Sequence, residues 1–238
     1  MHFNVRPAAV LTTLLICIAI LLALNLLGIF YGFESSPGAR RIARLVHFNY
    51  EISLPTLFST LILLASALLL MLISRFHKNE GSGYMLWAGL ALIFVFLTID
   101  ESISFHELIS GRIQRHFRLS GFFYFAWVIP YALLLVVIAL TYFRFLVRLP
   151  RKIMWLFIAS GLIYVGGAIG FEMLGAAEFI SDRRAATSWR SLSYLMLTTV
   201  EELLEMLGIS LFIYSLLKYI SMVFGPLSIS FDFKRGKE

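Results

Sequence analysis

An all-α bundle of six membrane-spanning helices is the fold class this sequence predicts, and three observations carry the prediction. Hydrophobic residues make up 60% of the 238 and mean hydropathy is +0.87, above ordinary soluble domains, where about half the residues are apolar. The apolar residues gather into six runs, each of about 20 residues or more, the length that spans a hydrocarbon core of about 30 Å at about 1.5 Å per residue. The polar connections between runs are short, so no stretch is left for a separate soluble domain. Residues 1–222 are therefore read as one transmembrane domain and residues 223–238 as a short interfacial or cytoplasmic tail.

Arg6 precedes the first run, residues 8–31. A secretory signal has an apolar region of roughly 7–15 residues and a small-residue cleavage site; this run is longer and lacks such a site, so it is expected to be retained. Gly28 and Gly32 form a G-x-x-x-G, a close-packing surface. Residues 39–52 differ in kind. Arg40, Arg44, His47 and Glu51 share one arc, while Ile42, Leu45, Val46 and Ile52 take the rest, which predicts an amphipathic helix lying in the membrane interface.

The remaining runs cover residues 53–74, 84–103, 122–143, 153–176 and 192–219. Links near 77–83 and 144–152 are short, so the second run should hairpin onto the third and the fourth onto the fifth, both turns on one side of the membrane. With the N-terminus inside, the 20 Lys and Arg divide eleven to nine in favour of the inner side, and every lysine is inner. This supports cytoplasmic termini in a plasma or inner membrane, by a thin margin. Acids divide unevenly: of 14, only Glu80, Asp232 and Glu238 are inner. The net charge of +6 belongs to loops at membrane boundaries, where lipid headgroups and topology account for it, and nucleic acid is excluded as a partner. Cys17 is alone inside the first run, which excludes an intramolecular disulfide and a thiolate metal site. In the tail, Gly225-Pro226 breaks helix and the alternation from Leu227 to Lys234 suits an interfacial segment or one short strand.

The stretch Asp100-Glu101-Ser102-Ile103-Ser104-Phe105-His106-Glu107 ends the third run with three carboxylates and an imidazole. On a continuous helix, Asp100, Ser104 and Glu107 fall within about 60° of one another, with Glu101 and His106 flanking. The sixth run supplies a matching stripe of Thr198, Glu201, Glu202, Glu205 and Gly208. The fifth adds Glu172 on the face that carries Gly161, Ala168 and Ala176, small residues that admit close packing. All these acids lie at one depth. A charged side chain at membrane depth costs about 2.5–3.5 kcal/mol even on lenient insertion scales, so they should face each other. Facing carboxylates must then be protonated, paired with arginine, or neutralised by a bound cation.

The third outcome gives the leading expectation: a divalent-metal site of Asp100, His106, Glu107, Glu172, Glu201 and Glu205, supported by Glu101 and Glu202. Oxygen-rich ligation with one nitrogen suits Mn, Fe or Zn, or Mg or Ca if the histidine stays out. Bundle di-metal sites project carboxylates and histidines in this way but use Glu-x-x-His, where Glu202-Leu203-Leu204-Glu205 has a carboxylate. The expected function is metal-assisted chemistry on a membrane-resident substrate at the extracytoplasmic face. Membrane lipids are the partners, with Arg112, Arg115, Arg183 and Arg184 holding a lipid-like or anionic headgroup. Two alternatives stand beside it: an ion- or proton-coupled carrier or channel using the same carboxylates, and a non-catalytic membrane subunit whose acids are paired by those arginines together with Arg118 and Arg190.

Familiar enzyme signatures are missing. His106-Glu107 begins like H-E-x-x-H, but Ser110 stands at the second histidine position, and there is no G-x-S-x-G, P-loop or C-x-x-C. Ser102, Ser104 and Ser110 lie beside the acids, a minor serine-nucleophile option. His77 and His116 are expected in solvent or among headgroups. Phe122, Phe123, Tyr124, Phe125 and Trp127 are expected as an interfacial anchor.

Overall fold

In the computed structural model, residues 2–31, 37–50, 52–81, 83–184 and 191–230 are described. Helix α1 (Pro7–Tyr31) starts on a proline, whose missing N–H costs nothing at a first helical position. The ten-residue α2 (Pro37–Val46) follows. Ser53 caps α3 (Leu54–Asn79), its hydroxyl accepting from the Thr56 amide at 3.3 Å. Gly81 at φ +70 then reverses the chain into α4 (Tyr84–Ile103), a turn that needs the left-handed region only glycine adopts freely. α5 (Phe105–Phe117) is short, and a 3₁₀ turn at Gly121–Phe123 precedes α6 (Val128–Arg148). α7 (Arg151–Val165) passes through a π-helical turn, Gly166–Phe171, into α8 (Glu172–Arg184). α9 (Leu192–Val223) is capped by Ser191.

Among these are six helices long and apolar enough to cross a membrane: α1, α3, α4, α6, the stretch Arg151–Ser181 and α9. The fourth starts at Val128, six residues later than its apolar run at Phe122, because Gly121 at φ +62 and the 3₁₀ turn hold the aromatic group outside the helix. The fifth continues beyond 176 to Arg184, because the π turn adds a residue to the helix without breaking it. The amphipathic segment stops at Val46 rather than 52, and Phe48 turns inward, 3% exposed. Glu51 lies outside the described residues.

α9 is the central post, against which α1, α3, α7 and α8 pack, while α3 and α4 form the tight hairpin that the short link requires. Two apolar layers surround it. One gathers Leu70, Ile73, Trp87, Ile153, Leu216 and Ile220, and the other Ile18, Ile62, Leu63, Met206, Ile209 and Ile213. A two-stranded antiparallel pair, β1 (His2–Asn4) with β2 (Ser228–Ser230), ties the two ends of the chain together, with Phe3 opposite Ile229. Residues 2–4 and 228–230 therefore sit at one end of the bundle, with the α3–α4 and α6–α7 turns. α5 and the N-terminus of α9 lie at the other.

Candidate functional site

The site begins where α4 stops. Ser104 adopts φ 50, ψ 47, a left-handed conformation uncommon outside glycine, and it ends one helix and starts the next. This reversal folds His106 back over Asp100. The His106 amide donates to Asp100 Oδ1 at 3.0 Å, the imidazole Nδ1 lies 3.0 Å from Oδ2, and the Tyr131 hydroxyl donates to Oδ1 at 2.8 Å. A continuous helix would leave His106 on the flank of the stripe; the break makes it the direct partner of Asp100. Asp100 is thereby 8% exposed, with three of its roughly four acceptor positions taken. Burial pulls the His106 imidazole down, but the hydrogen bond and charge of Asp100, with Glu172 and Glu107 behind them, outweigh it. The ring is held above its ordinary value.

The next link is aromatic. The His106 ring packs on Trp127 with centroids 5.0 Å apart, Trp127 packs on Tyr131 at 4.9 Å, and the Trp127 indole donates to Glu172 Oε1 at 2.8 Å. The interfacial-anchor expectation is thus corrected for part of its group. Phe122 and Phe123 are exposed, but Trp127 is buried, and Tyr124 and Phe125 pack against Phe179. The reason is the late start of α6, which leaves these rings free to close over the acids.

Glu172 follows the π turn immediately, and the turn fixes where it points. A Cβ on Gly167 would stand 2.7 Å from the Glu201 carbonyl oxygen, and one on Gly208 would stand 2.7 Å from the Tyr164 amide nitrogen. α9 and the fifth helix are therefore in backbone contact at the level of the acids. The Glu172 and Glu201 carboxyl groups are in hydrogen-bond contact, which holds only with a proton or a cation between them.

All eight residues expected from the sequence, Asp100, Glu101, His106, Glu107, Glu172, Glu201, Glu202 and Glu205, line one cavity of about 1200 Å³. No hydrogen bond joins Glu101, Glu202 or Glu205 to another described residue, so their carboxyl groups are left to the cavity. Among the described residues no three His, Cys, Asp or Glu side chains converge as a ready-made metal site; the acids ring the space instead.

The arginines do not join them. Arg112 and Arg115 are exposed on α5 and absent from the cavity wall, and Arg115 donates instead to the Gly111 carbonyl on its own helix. The side chains of Arg183 and Arg184, and all of Arg190, lie outside the described residues. Among the described residues no arginine or lysine pairs with Asp100, Glu101, Glu172, Glu201, Glu202 or Glu205. The serines have structural partners: Ser102 donates to the Thr98 carbonyl and Ser110 accepts from the Ala126 amide. His77 lies at the opposite end of the bundle, 2.8 Å from the Tyr219 hydroxyl and stacked on Trp87, rather than in solvent.

Residue-by-residue reading missed Trp127, Tyr131 and Asn25 as parts of the site. Asn25 is fully buried; its Nδ2 donates to Thr199 Oγ1 at 2.9 Å and its Oδ1 accepts from the Phe48 amide at 3.0 Å. It fixes α1 and the segment after α2 against α9 two residues before Glu201. A lone amide in a 24-residue apolar run was the available signal. No curated protein and no solved structure matches the chain. A family model does, over residues 12–219, most of the sequence, and the chain belongs to that family, described as a domain of unknown function (DUF8692).

Proposed function

We propose that the chain crosses a membrane six times and that its acid-lined cavity is a divalent-cation site supporting metal-assisted chemistry on a membrane-resident substrate. One observation carries this reading: seven carboxyl groups and an imidazole line one cavity, with no lysine or arginine among its described lining residues. Of the three ways to neutralise facing carboxylates, arginine pairing finds no support among the described residues, which favours protons or a bound cation.

The hydrogen bonds suggest how the roles divide. Asp100 has its oxygens committed to His106 and Tyr131, so it orients the imidazole rather than ligating. The His106 Nε2 is then the nitrogen available to a metal, the arrangement in which a ligating histidine leans on a carboxylate. Glu172, Glu201 and Glu205 supply oxygens, with Glu101, Glu202 and Glu107 around them. Such a donor set suits Mn, Fe or Zn. A metal held there would polarise a substrate carbonyl or activate water. The chain's own contribution is a positioned carboxylate or imidazole to take the proton, and an aromatic cover of Tyr124, Phe125 and Trp127 that limits water.

In the orientation favoured by the lysines, the termini are cytoplasmic and the cavity opens towards the extracytoplasmic face of a plasma or inner membrane. α2 would lie in that interface, consistent with exposed Ile42 and Leu45 beside exposed Arg44. Arg112 and Arg115 would meet lipid headgroups at the surface rather than inside the cavity.

Elemental analysis of detergent-purified protein tests the proposal. Near-stoichiometric Mn, Fe or Zn is expected, and Glu172→Gln or Glu205→Gln should reduce it severalfold. Metal-free protein from metal-replete medium would sink it. The Glu172–Glu201 carboxyl contact favours one competing reading, a proton or cation pathway. Proton flux in reconstituted vesicles, abolished by Glu201→Gln in a protein without metal, is the outcome that would select it.

A further inference from the structure

The cavity is much larger than a cation needs, and its shape away from the acids is informative. From the carboxylates it continues between α4, α6 and α7 as an apolar limb walled by Leu90, Leu97, Leu135, Ile138, Phe145 and Phe157. Along α4 the wall runs from Asp100 to Leu90, ten residues or about 15 Å of helix, which is half the thickness of a hydrocarbon core of about 30 Å. The limb is therefore about as deep as one leaflet.

Its side is open. α4 and α6 meet through side chains at two levels rather than by backbone packing: at one, Tyr131 reaches Asp100 and lies 6.1 Å from the Phe96 ring; at the other, the Tyr142 hydroxyl donates to the Leu86 carbonyl at 3.1 Å and Trp87 packs on Phe145 at 4.9 Å. Gly89 makes the second link possible, since a Cβ there would stand 2.3 Å from the Tyr142 hydroxyl oxygen. Between the two levels, residues that line the cavity are strongly exposed, Leu92 at 67% on α4 and Leu134 at 47% on α6. α6 is correspondingly the least buried of the six long helices. An apolar opening at this height would face lipid chains, not water.

Among the described residues, no lysine or arginine lines the wall at the head of the limb, and Glu101, Glu202 and Glu205 have no hydrogen-bond partner. That end accepts hydrogen bonds and repels negative charge. We infer that the cavity takes a long-chain amphiphile laterally from the membrane, between α4 and α6, with one hydrocarbon chain in the limb and a donor-bearing head that carries no negative charge, such as an amine or a hydroxyl, among the acids. This deepens the proposed function by naming the substrate class, and it replaces the anionic headgroup expected from the arginines.

The test uses the full-length chain in detergent, with hexadecylamine, hexadecanol, octylamine and hexadecyl phosphate as probes, binding read by native mass spectrometry and by thermal stabilisation. The two uncharged or cationic long-chain probes should bind at least tenfold more tightly than hexadecyl phosphate, and hexadecylamine at least tenfold more tightly than octylamine. Ile138→Trp, which fills the limb, should remove the chain-length preference; Ala139→Leu is a milder version should the tryptophan variant melt early. Phosphate binding as tight as amine binding, no dependence on chain length, or an unchanged preference in folded limb variants overturns the inference. Metal content measured on the same samples separates the two ideas. Chain binding without metal removes only the cation reading, and metal without chain binding removes only this one.

Discussion

Tyr131 and Asp100 show what a single contact contributes at this site. Asp100 is almost fully buried, and the Tyr131 hydroxyl is one of three protein donors to its carboxylate. A hydrogen bond to a charged group contributes about 1.5–3 kcal/mol. Tyr131→Phe keeps the ring that packs on Trp127 and deletes only the donor. Thermal or denaturant melts should show a loss within that range, and a melt identical to wild type would mean the carboxylate finds another donor. The identity of the acids was legible in the sequence because ionisable residues in apolar helices have few reasons to be there. Their partners were not. Trp127 and Tyr131 lie near the start of an apolar run, where aromatic residues are common for reasons unrelated to chemistry, and only the tertiary structure aims their N–H and O–H groups at carboxylates.

Helices make the same point at the next scale. The six apolar runs and the α3–α4 hairpin followed from hydropathy and loop length, and the ends of α4 fell at the expected residues. What periodicity could not supply were the irregularities that build the site. The left-handed Ser104 turns a presumed stripe into a folded-back Asp100–His106 pair, and no local signal marks it, since serine has no special tolerance for that conformation. The π turn, which contains Gly166, Gly167 and Gly170, falls within the small-residue stretch whose Gly161, Ala168 and Ala176 were read as a packing face, a reading that carried no change of helical pitch. Gly167 is where this can be tested. Its missing Cβ leaves room for the Glu201 carbonyl, the Leu204 Cβ and the Glu205 Cγ, at 2.7, 3.0 and 3.2 Å from where a methyl would stand. The nearest of these is backbone and cannot rotate away. Gly167→Ala should therefore cost about 1–3 kcal/mol, the usual range for overpacking, and should lower bound metal by displacing Glu172 from Glu201. Gly170→Ala, at a position with open space around it, should do neither.

For the molecule as a whole, chain parity and charge give one further expectation. If all six long helices cross, the chain returns to the side on which it began, and the β1–β2 pair places residues 2–4 against 228–230 at one end of the bundle. The turns after α3 and α6 share that end, whereas α5 lies at the other, over the acids. Charge alone argued this weakly, because arginines populate both ends and the Lys and Arg surplus is thin. Geometry does not share that weakness, since a helix that crosses must exit opposite to where it entered. Single cysteines at Asn4, Lys78, Arg148, His116 and Arg118, each exposed, can be introduced into a Cys17→Ala background and labelled in sealed vesicles with a membrane-impermeant maleimide. The first three should label from one side and the last two from the other, with the first three inaccessible from outside in right-side-out vesicles. If His116→Cys labelled from the same side as Asn4→Cys, one of the six long helices would not cross, and the acids would no longer lie together at one membrane face. If the pattern held but was reversed in side, the bundle and its cavity would stand, and only the assignment of that cavity to the extracytoplasmic face would change.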